Sequence, residues 1–264
     1  MDLVYIVKEG ERNDDLKYSL RSVAKFVKCD NVWIVGYKPS WVTNVRYIPV
    51  KQTENKWKNS VKNIKAACEN SEISSDFILM NDDFFAIEPI NDLRAATNLS
   101  LGLLDKQIAT SKDRITSWAK AFQQVSELLE ELHVEKPYYN YESHTPLLIN
   151  KQKYLEVMNL PEVIAFQKTS KVLHKRSLYK NIYPEKVQAT VLSQDVKISG
   201  KDTSSDKSKV CGWLSVSDNV VGNGKFKELN ELLRKLFFEP CKYEKEIEKR
   251  KPIRRKRKLP FINY

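Results

Sequence analysis

The sequence predicts an α/β domain with a central, mostly parallel sheet flanked by helices, and three observations carry that expectation. Over residues 1–90, short β-branched and aromatic runs alternate with longer stretches of helical period. Phe77-Ile78-Leu79-Met80 is a continuous apolar run without polar alternation, the pattern of a strand covered on both faces. That run stops abruptly at Asn81-Asp82-Asp83, as a strand does where it leaves a sheet.

The elements follow in order. Residues 2–7 alternate and are rich in β-branched and aromatic types, which suits a first strand. Over residues 13–26, Leu16, Leu20, Val23 and Phe26 recur at helical spacing, with Asn13 or Asp14 available as the cap. Val32-Trp33-Ile34-Val35-Gly36 predicts a second strand ending in glycine. Val45 to Val50 predicts a short or edge strand, because Pro49 cannot donate to a ladder. A helix follows from Lys56 to Asn70, then the apolar strand 77–80. Residues 91–133 are expected to be mainly helical. Their stripe of Trp118, Phe122, Val125, Leu128, Leu129 and Leu132 is expected in the core. A polar and aromatic loop from Tyr138 leads into a strand at Leu147-Leu148-Ile149. Gly200 to Lys209 predicts a surface loop, and Leu229 to Phe238 a final helix.

Composition narrows the function classes. The chain has 264 residues, 41% hydrophobic and 10% aromatic, enough to bury a substantial core. Only seven glycines are present, and neither a Walker-type nor a Rossmann-type phosphate loop is found. No apolar run approaches the roughly 18–20 residues that cross a bilayer. The first residues read as a strand rather than a signal peptide. The four cysteines are widely spaced, which argues against structural zinc or a disulfide framework and favours a reducing cytoplasm. The net charge is +11. Eight of those charges sit in one run, Lys249, Arg250, Lys251, Arg254, Arg255, Lys256, Arg257 and Lys258, leaving about +3 for the rest. Such a run suits a nucleic acid, an anionic lipid or another polyanion, and equally a solvated chain end.

The side chains able to carry chemistry are few. Asn81-Asp82-Asp83 follows a buried strand, and open α/β sheets bind ligands beyond the carboxyl ends of their strands. Carboxylates there suit Mg²⁺ or Mn²⁺ shared with substrate phosphates, although the same residues also make Asx turns and helix caps. His144, within Glu142-Ser143-His144-Thr145-Pro146, suits a metal ligand, a general base or a phosphate binder, or a plain loop histidine. Asp195 is a second isolated candidate, to complete a metal site or to deprotonate a hydroxyl. His174, beside Lys175 and Arg176, suits phosphate binding or surface charge. Lys58 with Lys62, and Asn59 with Asn63, share helix faces at i to i+4 that reach either a pyrophosphate or solvent. Arg12 and Arg21 flank the first helix as candidate phosphate contacts, Arg21 equally suiting a plain helix-surface residue.

Several segments then resemble a known family. Met1-Asp2-Leu3-Val4-Tyr5 to Gly10 is similar to the opening strand of the Stealth proteins, and Asp15-Leu16-Lys17-Tyr18-Ser19-Leu20-Arg21-Ser22 to the segment that follows it. Val32-Trp33-Ile34-Val35 through Pro39-Ser40-Trp41-Val42, Asn81-Asp82-Asp83 and His144-Thr145-Pro146 also resemble Stealth motifs. The likeness covers residues 1–90 well and 138–155 loosely. Further on, Arg176 to Asn181, Asp195-Val196-Lys197, Trp213 to Asp218 and Phe237 to Glu244 are similar to compact glycosyltransferase-like proteins commonly encoded by phages.

The resemblance implies a glycosyltransferase A-like, nucleotide-diphosphosugar fold over residues 1–240, with a basic tail over 241–264. It implies a metal-dependent transfer of sugar from a nucleotide-diphosphate sugar. Asp83, helped by Asp82, would hold Mn²⁺ or Mg²⁺ and the donor diphosphate, and Asn81 would orient them. His144 or Asp195 would serve as base or further ligand. Val7, Arg12 and Asp15 would face the nucleotide, with Lys58, Asn59 and Lys62 reaching the sugar or pyrophosphate. The tail would bind a polyanionic acceptor, DNA being favoured, in a host cytoplasm for a phage-encoded chain. The rival expectations are a Stealth-type sugar-1-phosphate transferase on a surface glycan and a non-catalytic nucleic-acid-binding protein.

Overall fold

A computed structural model describes residues 1–10, 13–114, 116–198, 211–216 and 227–245. In chain order the elements are β1 (Asp2–Val7), α1 (Asp14–Phe26), β2 (Val32–Gly36), β3 (Arg46–Pro49), α2 (Lys56–Glu69), β4 (Asp76–Asn81), β5 (Phe84–Ala86), α3 (Leu93–Thr97), β6 (Leu99–Ser100) and α4 (Leu104–Ser111). They continue with α5 (Ser117–Glu131), β7 (Leu147–Asn150), α6 (Lys151–Met158), α7 (Pro161–Gln167), α8 (Lys175–Ile182), β8 (Thr190–Val191), β9 (Lys197–Ile198), β10 (Trp213–Val216) and α9 (Lys227–Leu236).

The main sheet has the order β3-β2-β1-β4-β7. β1 pairs in parallel with β2 and β4, and β2 with β3, while β7 runs antiparallel on β4. The expected mostly parallel sheet is therefore present, with its proline-bearing strand at one edge. Alternate side chains leave it on opposite faces. Val4, Val35, Phe77 and Leu79 join a core with Val61 and Ile64 of α2 and Val125 and Leu129 of α5. Leu3, Tyr5, Ile34 and Met80 join a second core with Leu16, Leu20 and Val23 of α1 and with Trp213. Among the described residues no helix is long and apolar enough to cross a membrane.

A second sheet, β5-β10-β9, lies beyond the end of β4. Two serines of α1 dock it. The Ser19 hydroxyl donates to the Phe84 carbonyl and meets the Tyr5 hydroxyl at 2.9 Å, and the Ser22 hydroxyl accepts from the Ala86 amide at 3.0 Å. A bulkier side chain at either position would push β5 off the helix, so small residues here let Asp83 sit where two sheets meet.

Gly36 is the point of closest approach at the end of β2. Its φ is +106°, and a Cβ there would lie 2.5 Å from the Val7 carbonyl oxygen and 2.7 Å from the Asn63 amide. Only glycine combines that backbone with that contact.

The region 91–133 is mainly helical as expected, in α3, α4 and α5, with Leu99 and Ser100 leaving the end of α3 to pair with β8. Two expectations change. Asn13 occupies the cap position of α1, but its side chain makes no cap bond and its Nδ2 donates to the Lys8 carbonyl at 3.2 Å. Arg21 is no phosphate contact. Its guanidinium grips Glu244 through two bonds of 2.6 and 2.8 Å and donates to the Phe237 and Phe238 carbonyls. It thereby straps residues 237–244 to α1, and the Lys245 amide donates to the Trp41 carbonyl at 2.8 Å. Gly200 to Lys209 and the basic run 249–258 lie outside the described residues.

Candidate active site

The carboxyl end of β4 is the focus. Asn81 is the last strand residue, Asp82 and Asp83 form the turn, and β5 carries the chain back. Asp83 is buried. Its Oδ2 accepts from the Ser215 hydroxyl at 3.3 Å and lies 3.7 Å from the Lys197 ammonium. Its carbonyl accepts from the Val216 amide at 3.3 Å. β9 and β10 thus bring a cation and a hydroxyl to a carboxylate from far along the chain.

The segment leading into β9 brings the next carboxylate, Asp195, two residues before Lys197. Asp195 Oδ1 accepts from the Lys197 amide at 3.1 Å, and its Oδ2 lies 2.8 Å from His144 Nδ1. Burial pushes the Asp195 carboxyl up, but the His144 bond and charge and the Lys197 amide outweigh it and hold it below the usual range. An ionised carboxylate facing Nδ1 keeps the proton on that nitrogen. Nε2 is then the basic end of the ring.

His144 sits in a strained backbone. Its φ is +51°, a left-handed conformation that costs a non-glycine residue of order 1 kcal/mol. Neighbours hold it there. The Ser143 and Thr145 hydroxyls meet at 2.8 Å, and Arg176 donates to the Thr145 carbonyl. Glu142 accepts from the Ser177 amide at 3.1 Å, which fixes the loop to the start of α8. Burial pushes the Glu142 carboxyl up, yet His174, Arg176 and Lys175 bring it below its ordinary value.

Arg176 is buried above the Phe84 ring, 5.8 Å from its centroid. Burial lowers its pKa from that of a free guanidinium, and Glu142, Asp195 and Asp83 oppose the shift. Among the described residues its Nε has no hydrogen-bond partner. Asp83, Lys197, Asp195, His144 and Arg176 therefore form one cluster of alternating charge.

The remaining candidates scatter around this centre. Val7 is buried at the end of β1, and its carbonyl accepts from Gln52 at 2.6 Å and from the Tyr37 amide at 3.1 Å. Asp15 lies in the first turn of α1, and Arg12 lies outside the described residues. Asn59 is not presented to a ligand. It is buried, with Oδ1 accepting from the Thr53 amide and hydroxyl, both at 2.9 Å, and Nδ2 donating to the Thr53 carbonyl, so it holds the loop before α2. Lys58 and Lys62 line a groove on the outer side of α2. His174 is neither surface charge nor a phosphate contact. It is buried edge-on against Trp118, 4.2 Å between centroids, and its Nε2 lies 3.0 Å from the Trp118 carbonyl oxygen.

Trp118, expected as core, also belongs to the site. It stacks on Trp57 at 5.5 Å and faces the His144 ring at 5.8 Å. Asp195 stood out in the sequence as a candidate, while Lys197 and Ser215 entered only within longer motifs and Arg176 only within a motif and as a neighbour of His174. Among the described residues no group of three or more His, Cys, Asp or Glu side chains is arranged to hold a metal.

Comparison with known proteins bears on the fold. No family model matches the chain, and no curated protein matches it by sequence. Solved structures do match. The galactosyltransferase LgtC, in complex with donor and acceptor sugar analogues, aligns with a TM-score of 0.55 at 9% identity, covering 90% of this chain and 95% of LgtC. An active-site mutant of LgtC aligns with a TM-score of 0.52 at 10% identity, covering 89% and 95%. The chain shares with LgtC a mixed α/β architecture over nearly its whole length: its fold is of the glycosyltransferase A type.

Proposed function

We propose that this protein is a glycosyltransferase that moves a sugar from a nucleotide-diphosphate donor to an acceptor hydroxyl or amine at the carboxyl edge of β4. The observation that carries the reading is the His144–Asp195 pair, 2.8 Å apart, joined through Lys197 to the buried Asp83 carboxylate. A carboxylate-oriented imidazole is a general base. A buried mixed-charge cluster beyond a parallel strand suits a diphosphate.

In this reading the donor diphosphate lies against Lys197 and Arg176, which neutralise the charge that grows as it departs. His144 Nε2 takes the acceptor proton. The acceptor atom bonds to the anomeric carbon as the bond from that carbon to the diphosphate oxygen breaks, and the nucleoside diphosphate leaves with its electron pair. Asp195 does not exchange protons with substrate; it holds the imidazole tautomer. Asn81 would orient the cation and diphosphate, and Asp15 and Val7 would face the nucleotide.

The carboxylates also fit a divalent cation. Mn²⁺ or Mg²⁺ takes hard oxygen ligands, needs only one or two protein carboxylates, and fills its remaining positions from phosphate and water. Asp83, aided by Asp82, would hold it once Lys197 turns to the diphosphate. Bound there, the ion supplies Lewis-acid stabilisation of the leaving group. DNA is the favoured acceptor in this reading, inside a host cytoplasm.

The test is a panel of nucleotide sugars assayed for turnover with Mn²⁺, with the released nucleotide identified. A nucleoside diphosphate is expected and is lost in Asp83→Ala. Release of the monophosphate would instead establish sugar-1-phosphate transfer, which the Stealth-like segments favour. Full turnover in Asp83→Ala would remove this cluster from the reaction.

A further inference from the structure

The outer side of α2 carries a groove of about 610 Å³ that the transfer chemistry does not use. Five lysines line it: Lys51, Lys58, Lys62, Lys65 and Lys171. Glu69 is its one acidic lining residue. Among the described residues none of the five lysines pairs with a carboxylate. Lys62 donates to the Lys51 carbonyl at 3.1 Å, and Lys65 to the Asn159 amide oxygen at 2.9 Å. Elsewhere the protein compensates such charges, as with Arg21 on Glu244, Arg46 on Glu72 and Lys180 on Glu185. Five cations left facing one cavity repel one another, and an external polyanion relieves that repulsion.

The walls add a second kind of chemistry. Trp57 and Phe166 are half-buried at the lining. Trp57 stacks on Trp118 at an interplanar angle of 26°, and Trp118 in turn faces His144. The groove thus ends on an aromatic stack whose far side is the candidate general base. Lysines that neutralise phosphates, interleaved with rings on which bases stack, are the features that bind single strands. A duplex hides its base faces and gains nothing from Trp57. An anionic polysaccharide would use the lysines, but it has no base to lay on the ring planes.

We infer that the α2–α7 groove binds a single-stranded nucleic-acid segment, its phosphates on the lysines and a base against Trp57. That this strand is the sugar acceptor rests on the glycosyl-transfer reading above; the binding itself does not.

The experiment is fluorescence anisotropy of labelled (dT)20 with the full chain. It is repeated with a chain lacking residues 249–264 and with Lys51→Glu/Lys171→Glu, both exposed positions. The full chain is expected to prefer (dT)20 to a duplex of the same length. The truncated chain should keep that preference. The double reversal should weaken binding about tenfold or more and lower the salt slope, each single-strand phosphate contact contributing roughly 0.7 to it. Melting temperature and donor turnover should be unchanged in the double variant, which excludes misfolding. Equal binding by the double variant, equal affinity for an abasic oligonucleotide or for dextran sulfate, or complete loss on removing 249–264 would each overturn the groove. Oligonucleotide binding without turnover of any nucleotide sugar would overturn the transferase reading and leave the groove standing.

Discussion

Two regions on either side of the Trp57–Trp118 stack handle charge in opposite ways. At the end of β4 the carboxylates are each held by a partner: Asp83 faces Lys197, and Asp195 is bonded to His144. In the α2 groove five lysines share one glutamate. Burial explains the first arrangement. A desolvated charge without a partner costs several kcal/mol, so a buried cluster must carry its own compensation. Such a cluster is preorganised before substrate arrives, and its charges are worth more there than in water. The groove is open to solvent, so its lysines can wait for a ligand to balance them. Compensated charge inside marks the place for chemistry, and uncompensated charge at the rim marks the place for docking.

The largest expected effect tests the first half of that contrast. Asp83→Ala leaves Lys197 without its buried partner and removes the candidate cation ligand. Turnover should fall about a thousandfold, equivalent to about 4 kcal/mol in transition-state stabilisation, in a steady-state assay at saturating donor. If the groove rather than the cluster were the reacting site, that variant would turn over normally. His144→Ala should lower kcat by about a hundredfold with little change in donor KM, the mark of a lost proton acceptor.

Asp195 sharpens the contrast through pH. Its carboxyl lies below the usual range in the folded protein, so its contribution to stability is present above the unfolded value of about 4 and is lost as pH falls through the folded value. Acid melts of the wild type should steepen across that window, and Asp195→Asn should flatten the dependence. A variant with the same acid slope would mean that the His144–Asp195 contact does not set the charge state.

Gly36→Ala tests the seam where α2 meets the sheet. The added Cβ meets backbone at 2.5 Å in a left-handed conformation, and the cost should be about 1–3 kcal/mol. For a chain of this size that lowers the melting temperature by roughly 2–4 °C per kcal/mol. The smallest effect is expected for Ser215→Ala, which removes one 3.3 Å bond to Asp83 and should cost about 1 kcal/mol in a denaturant melt.

Much of the framework was legible before the structure. β1, β2, β4 and α1 follow from runs and spacings that local sterics and burial impose, and Asn81-Asp82-Asp83 falls where a strand leaves a sheet. His144 and Asp195 were each visible as isolated titratable residues. Their pairing was not, because they are 51 residues apart and no period relates them. Trp118 obeys the helical stripe that assigns it to the core, and that same position faces the site. Asn59 and Lys58 are adjacent on one helix, yet one is buried in a loop clamp and the other exposed on the groove, since successive helical residues point about 100° apart.

Sequence alone determined the layered α/β class, the strand that carries the acidic turn and the small set of groups able to do chemistry, because hydrophobic period and residue type act over a few neighbours. Tertiary structure alone decided which of those groups meet. Asp83 with Ser215, 132 residues away, and His144 with Asp195 are contacts fixed by how β9 pairs onto β10, β10 onto β5, and β5 docks on α1 beyond the end of β4. Docking of that kind depends on shape and burial summed over the whole chain, which no local pattern encodes.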